Sequence, residues 1–166
     1  MSERDDGPMI TVRRIRSDDV ELYRTTRLAA LLDTPSAFGR THAEEVVYSQ
    51  EEWKFRTNRG AAGEQSATFF AEVDGETAGL VGGYRPEPGL VELVSMWVAP
   101  AGRRRGTGKA LVDAVIAWAG DDRLELWVTR GNDPAIALYE RCGFVTTDEV
   151  QPLPSDPCKD EIRMRR

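Results

Sequence analysis

A turn rich in arginine and glycine is the part of this sequence best suited to an anionic ligand. Residues 103–109 contain three arginines, two glycines and Lys109, and they follow an apolar stretch that ends at Val98. A helical pattern begins directly afterwards, so the turn lies where a strand leads into a helix. Backbone N–H groups at a helix N-terminus lack intrahelical partners and carry positive potential. Gly106 and Gly108 have no Cβ, so a phosphate can approach the backbone closely.

Two familiar phosphate-binding motifs do not fit this turn. A P-loop needs a second glycine where this chain has Thr107, and its lysine is followed by serine or threonine, whereas Lys109 is followed by Ala110. The dinucleotide fingerprint needs a third glycine where this chain has Leu111. Both motifs also follow the first strand of their folds, whereas three predicted antiparallel strands precede this turn. A nucleotide-binding oxidoreductase remains an alternative, and it predicts stabilisation of the protein by NAD(P)H.

The apolar periodicity and the glycine and proline positions predict a mixed α/β fold. Three antiparallel strands come first, then strand–helix–strand–helix, then a closing hairpin. Asp74 and Gly75 mark the first hairpin turn. The predicted helices cover residues 17–34, 43–58, 107–119 and 135–142, and the predicted strands cover 10–16, 67–73, 77–84, 90–98, 124–129, a stretch from 144, and 161–164, with a loop over 152–157.

The first predicted helix has Ser17 as its N-cap and acidic residues in its first turn. Phe38, in the loop that follows it, is either a plug for the core or part of a substrate wall. In the second helical region, Trp53 and Phe55 cannot share a face at helical spacing. The buried face of the first helix is predicted to contain Val20, Tyr23, Leu28, Leu31 and Leu32.

Composition narrows the classes of protein that this chain can represent. Its 166 residues suit one domain over 9–166, preceded by a polar, disordered tail over 1–8 that is not a signal peptide. A formal net charge of −6 disfavours a nucleic-acid partner and is compatible with a cationic substrate. No apolar run approaches the length of a membrane span. Cys142 and Cys158 form no metal-binding motif, so free thiols, no metal and a cytoplasmic location are expected.

Two motifs about thirty residues apart resemble the GCN5-related N-acetyltransferase (GNAT) superfamily. The first is Arg103-x-x-Gly106-x-Gly108 after a strand. The second comprises Asn132 and residues 137–144, whose alanine, leucine, tyrosine, glycine and phenylalanine match a helix motif of that family. The resemblance is clearest over residues 65–147. It implies a central, mostly antiparallel sheet of six to seven strands, splayed between the fourth and fifth strands and flanked by about four helices.

The resemblance also implies acetyl-CoA as the co-substrate. Backbone N–H groups of residues 104–109 would hold the pyrophosphate, and the pantetheine arm would lie beside residues 96–98. Asn132 would hold a pantetheine amide or cap the following helix. Many members have glycine at the position of Arg104. If that position requires a positive φ, arginine costs about 1 kcal/mol there; otherwise Arg104 reaches the 3′-phosphate or faces solvent. The predicted cofactor-binding residues are Met96, Trp97, Val98, Arg103, Arg104, Arg105, Gly106, Thr107, Gly108, Lys109 and Asn132.

Two residues are predicted to carry the chemistry that the resemblance implies. Glu92 would accept a proton from the attacking amine, and Tyr139 would donate one to the leaving thiolate. A solvated strand glutamate and a buried core tyrosine are the structural alternatives. Strand alternation predicts one face with Glu92 and the residues at 94 and 96, and the other face with residues 93, 95 and 97. A backbone N–H beside Ser95 is the predicted oxyanion donor, and His42 is predicted to be structural or exposed, although it falls where the family lines its acceptor pocket.

The predicted function is transfer of an acetyl group from acetyl-CoA to a primary amine on a small molecule or peptide. A non-catalytic CoA-binding module, used for sensing or regulation, is the alternative from a different class. Residues 17–60 and 151–158 are predicted to determine which amine is accepted. Neither segment contains a motif that identifies this amine. A homodimer is expected from the resemblance alone.

Overall fold

The computed structural model describes residues 7–166 of the chain. The predicted tail at 1–8 therefore falls mainly outside the described residues. Within them, no helix combines the length and apolar character needed to cross a membrane. The elements are β1 (Ile10–Arg14), α1 (Val20–Asp33), α2 (His42–Glu45), α3 (Gln50–Ala62), β2 (Ser66–Val73), β3 (Glu76–Glu87), β4 (Leu90–Val98), α4 (Thr107–Ala119), β5 (Arg123–Thr129), α5 (Asp133–Arg141), β6 (Val145–Leu153) and β7 (Asp156–Arg165).

The strands form one seven-stranded sheet in the order β1-β2-β3-β4-β5-β7-β6. Neighbouring strands are antiparallel except β4 and β5, which are parallel because α4 connects them. The parallel pairing extends only from Leu90, opposite Arg123, to Leu93, opposite Leu126. Beyond that point the two strands separate. The predicted fold and its splay between the fourth and fifth strands are confirmed.

The two faces of the sheet are covered by different helices. On one face, α4 packs Leu111, Val112 and Val115 against β2 to β5, and each of these side chains is fully buried. On the other face, α1 and the loop after it contribute a smaller cluster that includes Leu31 and Phe38. Phe38 is only 3% exposed, so its predicted role as a core plug is confirmed.

The first helix begins later than predicted. Ser17 is not its N-cap, because α1 starts at Val20 and the N-cap position is Asp19. The Asp19 carboxylate does not cap the helix. It accepts hydrogen bonds from the Arg13 guanidinium and from the backbone N–H of Arg16. The buried face of α1 is also rotated from the predicted one, so that Leu32 is 65% exposed. The buried residues of α1 are Thr26, Arg27, Ala30 and Leu31.

The predicted helix over 43–58 is two helices. Thr41 caps α2 through a reciprocal hydrogen-bond pair with Glu44, and Ser49 caps α3 by accepting the backbone N–H of Glu52. Each cap starts a new helix, so the chain turns between them. The predicted separation of Trp53 from Phe55 is confirmed, since Trp53 is fully buried and Phe55 is 58% exposed.

The predicted loop over 152–157 is a tight hairpin turn. Strand β6 continues to Leu153 and β7 starts at Asp156, with Pro152 opposite Asp160. A proline is tolerated there because β6 is the edge strand of the sheet and the register shifts next to Pro152.

Candidate active site

A bulge in β4 shapes the candidate site. Gly82 of β3 lies opposite Val94, but Leu80 lies opposite Trp97, so two β4 residues stand against one residue of β3. One of the two, Ser95, has a φ of 58°. Side chains after the bulge therefore exchange faces. The predicted alternation is wrong beyond Val94.

The exchange of faces separates two predicted cofactor-binding residues. Trp97 packs with the cluster beneath α1. It lies on the same face as Glu92, because their partners on β3, Leu80 and Tyr84, are four residues apart. Met96 packs with Leu93 against the α4 side. Only the backbone of residues 96–98 therefore runs continuously along the open edge of β4. Regular pairing would have placed Met96, rather than Trp97, on the face of Glu92.

The splay of the sheet opens a narrow cleft between β4 and β5. Its β4 wall contains Val94 and Ser95 next to the bulge, and its far wall comes from β5 and α5. Residues of β4 beyond Leu93 have no partner in β5, so their backbone edge is available to a ligand in the cleft. The remaining lining residues are Ala37, Leu93, Met96, Trp127, Val128, Thr129, Asn132, Ala135, Leu138 and Tyr139.

At one end of β4, the turn before α4 presents a row of free backbone donors. Among residues 7–166, no side-chain or backbone oxygen accepts a hydrogen bond from the N–H groups of residues 104–109. Arg104 and Gly106 have φ values of 60° and 86°. Alternation of left-handed with ordinary residues points successive N–H groups toward one side and forms an anion-binding concavity. The geometry predicted for this turn is present.

Several side chains of the turn are committed to the protein itself. Arg103 donates to the Asp33 carboxylate at 2.5 Å and to the Val98 carbonyl at 3.0 Å. The indole of Trp97 donates to the same carboxylate at 3.0 Å. These bonds tie the end of α1 to the end of β4, so the Arg103 guanidinium acts as a clamp. Thr107 likewise donates its buried hydroxyl to the Gly102 carbonyl.

The outer side chains of the turn remain accessible. Arg104 and Arg105 are exposed, and Lys109 pairs with Asp113 one helical turn later at 2.6 Å. Gly108 has a different role, because a Cβ there would lie 2.9 Å from Cδ2 of Leu138 in α5. The glycine therefore allows α4 and α5 to approach each other closely at the cleft.

Tyr139 lies in α5 with its ring packed edge-on against Phe144, at a centroid distance of 5.9 Å. Burial raises the pKa of its phenol well above the ordinary value, and the nearby Cys142 adds to the increase. Its hydroxyl donates to no other side chain among residues 7–166, and the residue lines the cleft. A protonated hydroxyl is therefore available there. Asn132 caps α5 by accepting the backbone N–H of Ala135 at 3.4 Å, and it lines the same cleft.

Glu92 lies in β4 opposite Tyr84, three residues before Ser95 of the bulge. The Tyr84 hydroxyl donates to its carboxylate at 2.6 Å, and Arg163 of β7 lies 3.9 Å away. Burial and the bond to Glu92 raise the pKa of Tyr84 to about 12. Tyr84 lines a second pocket, formed by α1, α3 and β2 to β4, which shares Val94 and Ser95 with the cleft. Glu92 itself lines neither space, and its hydrogen bond with Tyr84 joins it to the second pocket.

A buried ion pair missed by the sequence reasoning supports the bulge. Arg27 and Glu45 form two hydrogen bonds of 2.9 Å, and the remaining Arg27 nitrogen donates to the Ser95 hydroxyl at 2.8 Å. The guanidinium also lies 4.9 Å from the ring centroid of Phe38. The helical spacing of Tyr23, Arg27 and Leu31 could have indicated an arginine on the buried stripe of α1. Nothing local could have indicated Glu45 as its partner.

A family comparison gives this geometry its context. The sequence profile of the acetyltransferase (GNAT) family matches residues 27–144, which include β4, the turn, α4 and α5. The chain belongs to this family. The matched residues include both predicted motifs and the hydrogen bonds among Arg27, Glu45 and Ser95.

Curated GNAT relatives match most of this chain. A mycothiol acetyltransferase from Mycobacterium avium is 30% identical over 163 residues, which cover 86% of this chain and 49% of the relative. An L-2,4-diaminobutyric acid acetyltransferase from Nocardia farcinica is 40% identical over 77 residues, covering 43% of this chain and 40% of the relative. The chain thus spans about half the length of the mycothiol acetyltransferases it matches.

Solved GNAT structures share the fold across nearly the whole chain. A GNAT acetyltransferase from Streptococcus pneumoniae superposes with a TM-score of 0.76 at 20% identity, covering 95% of this chain and 99% of that one. A spermidine N-acetyltransferase from Vibrio cholerae, solved with CoA and spermine, gives 0.74 at 18% identity, with 95% and 94% covered. A putative acetyltransferase from Salmonella typhimurium, solved with its cofactor acetyl-CoA, gives 0.75 at 20%, with 95% and 93% covered.

Sequence-based predictions also concern His42, the possibility of a metal site and the two cysteines. His42 begins α2, is partly buried and lines neither the cleft nor the second pocket. Within residues 7–166, no three His, Cys, Asp or Glu side chains are grouped as ligands for a metal ion. Cys142 is buried and Cys158 exposed, and both are free thiols.

The left-handed conformation of Arg104 allows a direct stability test. Its φ of 60° is the conformation for which arginine was expected to be unfavourable. Replacement of Arg104 with glycine removes that strain, partly offset by the greater freedom of glycine in the unfolded chain. We expect the free energy of unfolding to rise by about 0.5 kcal/mol in urea titrations. Arg105→Gly, at a neighbouring position without positive φ, should lower it instead. Equal losses in both variants would contradict this account.

Proposed function

We propose that this chain transfers the acetyl group of acetyl-CoA to a primary amine. The observation that carries the proposal is the row of backbone donors at residues 104–109, which have no partner within residues 7–166. The turn adjoins the cleft that contains Tyr139, because Gly108 lies against Met96 and Leu138 of the cleft lining. Those donors suit a diphosphate, and the unpaired edge of β4 suits the amides of an extended arm. When bound, acetyl-CoA supplies an acetyl thioester that an amine can attack.

The protein residues have separate tasks in this proposal. An amine attacks only after it loses its proton, and at neutral pH most amines are protonated. Glu92 receives that proton, either directly or through the Tyr84 hydroxyl that it already binds at 2.6 Å. The bulge leaves Ser95 and its neighbour at position 96 without ladder partners, so a backbone N–H there can donate to the carbonyl oxygen of the acetyl group.

Tyr139 donates a proton to the departing thiolate. Its phenol stays protonated through the alkaline range because burial raises its pKa. Replacement with phenylalanine keeps the ring contact with Phe144 but removes the hydroxyl. We expect kcat to fall by about 100-fold with little change in the KM for acetyl-CoA. The wild-type kcat should show no descending limb below about pH 10. A descending limb near neutral pH, or an unchanged kcat in the variant, would remove Tyr139 from this role.

The relatives are named for several different molecules, namely mycothiol, L-2,4-diaminobutyric acid and spermidine. That range supports a small-molecule amine as the acceptor here, and peptide amines remain within the proposal because ribosomal-protein acetyltransferases share the fold. A homodimer and a cytoplasmic location stay predictions made from the sequence.

Ligand-dependent stability separates the proposal from its alternatives. Acetyl-CoA at about 100 times its dissociation constant should stabilise the protein by about 2.7 kcal/mol, whereas NAD(P)H should not. Stabilisation by NAD(P)H alone would favour an oxidoreductase. Stabilisation by acetyl-CoA without turnover on a broad amine panel would favour a non-catalytic CoA-binding module.

A further inference from the structure

The second pocket carries a charge opposite to that of the whole protein. It lies between α1, α3 and strands β2 to β4, and its charged lining residues are Arg27, Arg56 and Arg59, with no aspartate or glutamate. The chain as a whole has a formal net charge of −6. Hydroxyl groups complete the polar lining, from Tyr23, Ser66, Thr68, Tyr84 and Ser95.

The three arginines differ in how far the protein neutralises them. Arg27 is fully engaged by Glu45 and Ser95. Arg56 lies 3.5 Å from the same Glu45 and 3.3 Å from Glu52. Arg59 is exposed and lies within 4.0 Å of no carboxylate among residues 7–166. One guanidinium on the pocket wall is therefore free to bind an anion, with a second beside it on the same face of α3.

The position of the pocket relates it to the proposed chemistry. Val94 and Ser95 line both this pocket and the cleft, and Tyr84 joins the pocket to Glu92. A molecule in the pocket would thus have one end near the bulge and Glu92 and the other near α3. The amine of such a molecule would lie near the base, Glu92, and its opposite end would contact Arg59.

We propose that the acceptor amine also carries an anionic group, a carboxylate or a phosphate, which Arg59 binds with support from Arg56. This inference rests on the proposed acetyl transfer and adds the substrate class: an amino acid or an aminoalkyl phosphate, rather than a polyamine. Guanidinium binds both anionic groups through paired, charge-assisted hydrogen bonds. A polyamine would instead place a second cation next to the arginines that line the pocket, which is electrostatically unfavourable.

Matched acceptors test the substrate class. Initial rates of CoA release should be compared for L-lysine, L-lysinamide and cadaverine, and for O-phosphoethanolamine and ethanolamine. We expect kcat/KM for an acceptor with the anionic group to exceed that for its counterpart without the group by about 10-fold or more, from one charge-assisted contact. The lysine and phosphoethanolamine series distinguish a carboxylate from a phosphate. Equal or greater turnover of cadaverine or ethanolamine would overturn the inference while leaving acetyl transfer intact.

An arginine variant tests the binding group itself. Arg59→Gln should raise the KM for the preferred anionic acceptor about 10-fold. The ratio of its kcat/KM to that of the matched amine without the anionic group should fall accordingly. Lys54→Gln, on an exposed position of the same helix outside the pocket, is the control and should leave that ratio unchanged. An unchanged ratio in Arg59→Gln would overturn the assignment.

Failure of the proposed function would be recognised separately. If no acceptor releases CoA, acetyl transfer fails, and titration calorimetry of lysine and phosphoethanolamine onto the CoA-saturated protein then tests the pocket alone. Binding that Arg59→Gln abolishes and Lys54→Gln preserves would support the anion site. Absence of binding by both anionic ligands would overturn it.

Discussion

Replacement of Glu92 with glutamine lowers kcat at neutral pH by about 100-fold or more. The glutamine side chain keeps the size of glutamate and can still accept the Tyr84 hydroxyl, which donates to Glu92 at 2.6 Å. It cannot accept a proton from the acceptor amine. Reaction then depends on the small fraction of amine that is already neutral, so the activity of the variant should continue to rise with pH until the amine itself is deprotonated.

The control for Glu92 uses another acid near the same arginine. Glu149 is exposed and pairs with Arg163 at 3.2 Å, and Arg163 also lies 3.9 Å from Glu92. Glu149→Gln therefore changes the surrounding charge without touching the predicted base, and kcat should stay within about threefold of wild type, a change that corresponds to less than one pKa unit of interaction. A kcat for Glu92→Gln equal to that of Glu149→Gln would assign proton removal to another group.

Replacement of Glu45 with glutamine destabilises the fold by about 3–5 kcal/mol. Glu45 is fully buried, and its carboxylate accepts two hydrogen bonds from the buried Arg27. The neutral amide leaves the Arg27 guanidinium in the protein interior without its counter-ion. The same change loosens the bulge, because Arg27 also donates to Ser95. Urea unfolding followed by tryptophan fluorescence measures the loss.

A matched surface change isolates the effect of burial. Glu51 lies in the first turn of α3, is exposed and forms no ion pair within the described part of the chain. Glu51→Gln should cost no more than about 0.5 kcal/mol. The double variant Arg27→Met with Glu45→Leu removes both buried charges and should recover part of the stability lost by Glu45→Gln. A loss below about 1 kcal/mol for Glu45→Gln would show that the pair contributes little.

Local sequence patterns were sufficient to predict the strand, turn and helix around residues 103–109. A strand, a run of arginine and glycine and an amphipathic helix follow one another directly, so their neighbours in space are also their neighbours in sequence. The prediction relied on the backbone at residues 104–109, whose N–H groups have no partner within the described residues. It also included Arg103 among the cofactor-binding residues, and the guanidinium of Arg103 binds Asp33, a residue seventy positions earlier. Such a partner cannot be identified without the tertiary fold.

The bulge at Ser95 is the feature that alternation could not predict. Neither glycine nor proline marks it, since Ser95 itself takes the left-handed conformation. Its support comes from Arg27, which is held in turn by Glu45, and these three residues come from separate elements. One inserted residue then reverses the faces of Met96 and Trp97. Strand periodicity describes each strand alone, whereas a bulge depends on the register with its neighbour.

Simultaneous measurement of both products tests the central claim most directly. Wild-type protein, acetyl-CoA and an amine acceptor are mixed, free CoA is followed with a thiol reagent, and the acetylated amine is quantified by mass spectrometry. The account predicts equimolar CoA and N-acetylated product, at a rate that Glu92→Gln and Tyr139→Phe both reduce. CoA release without an acetylated amine, or tight binding of acetyl-CoA with no release across the acceptor panel, would contradict it.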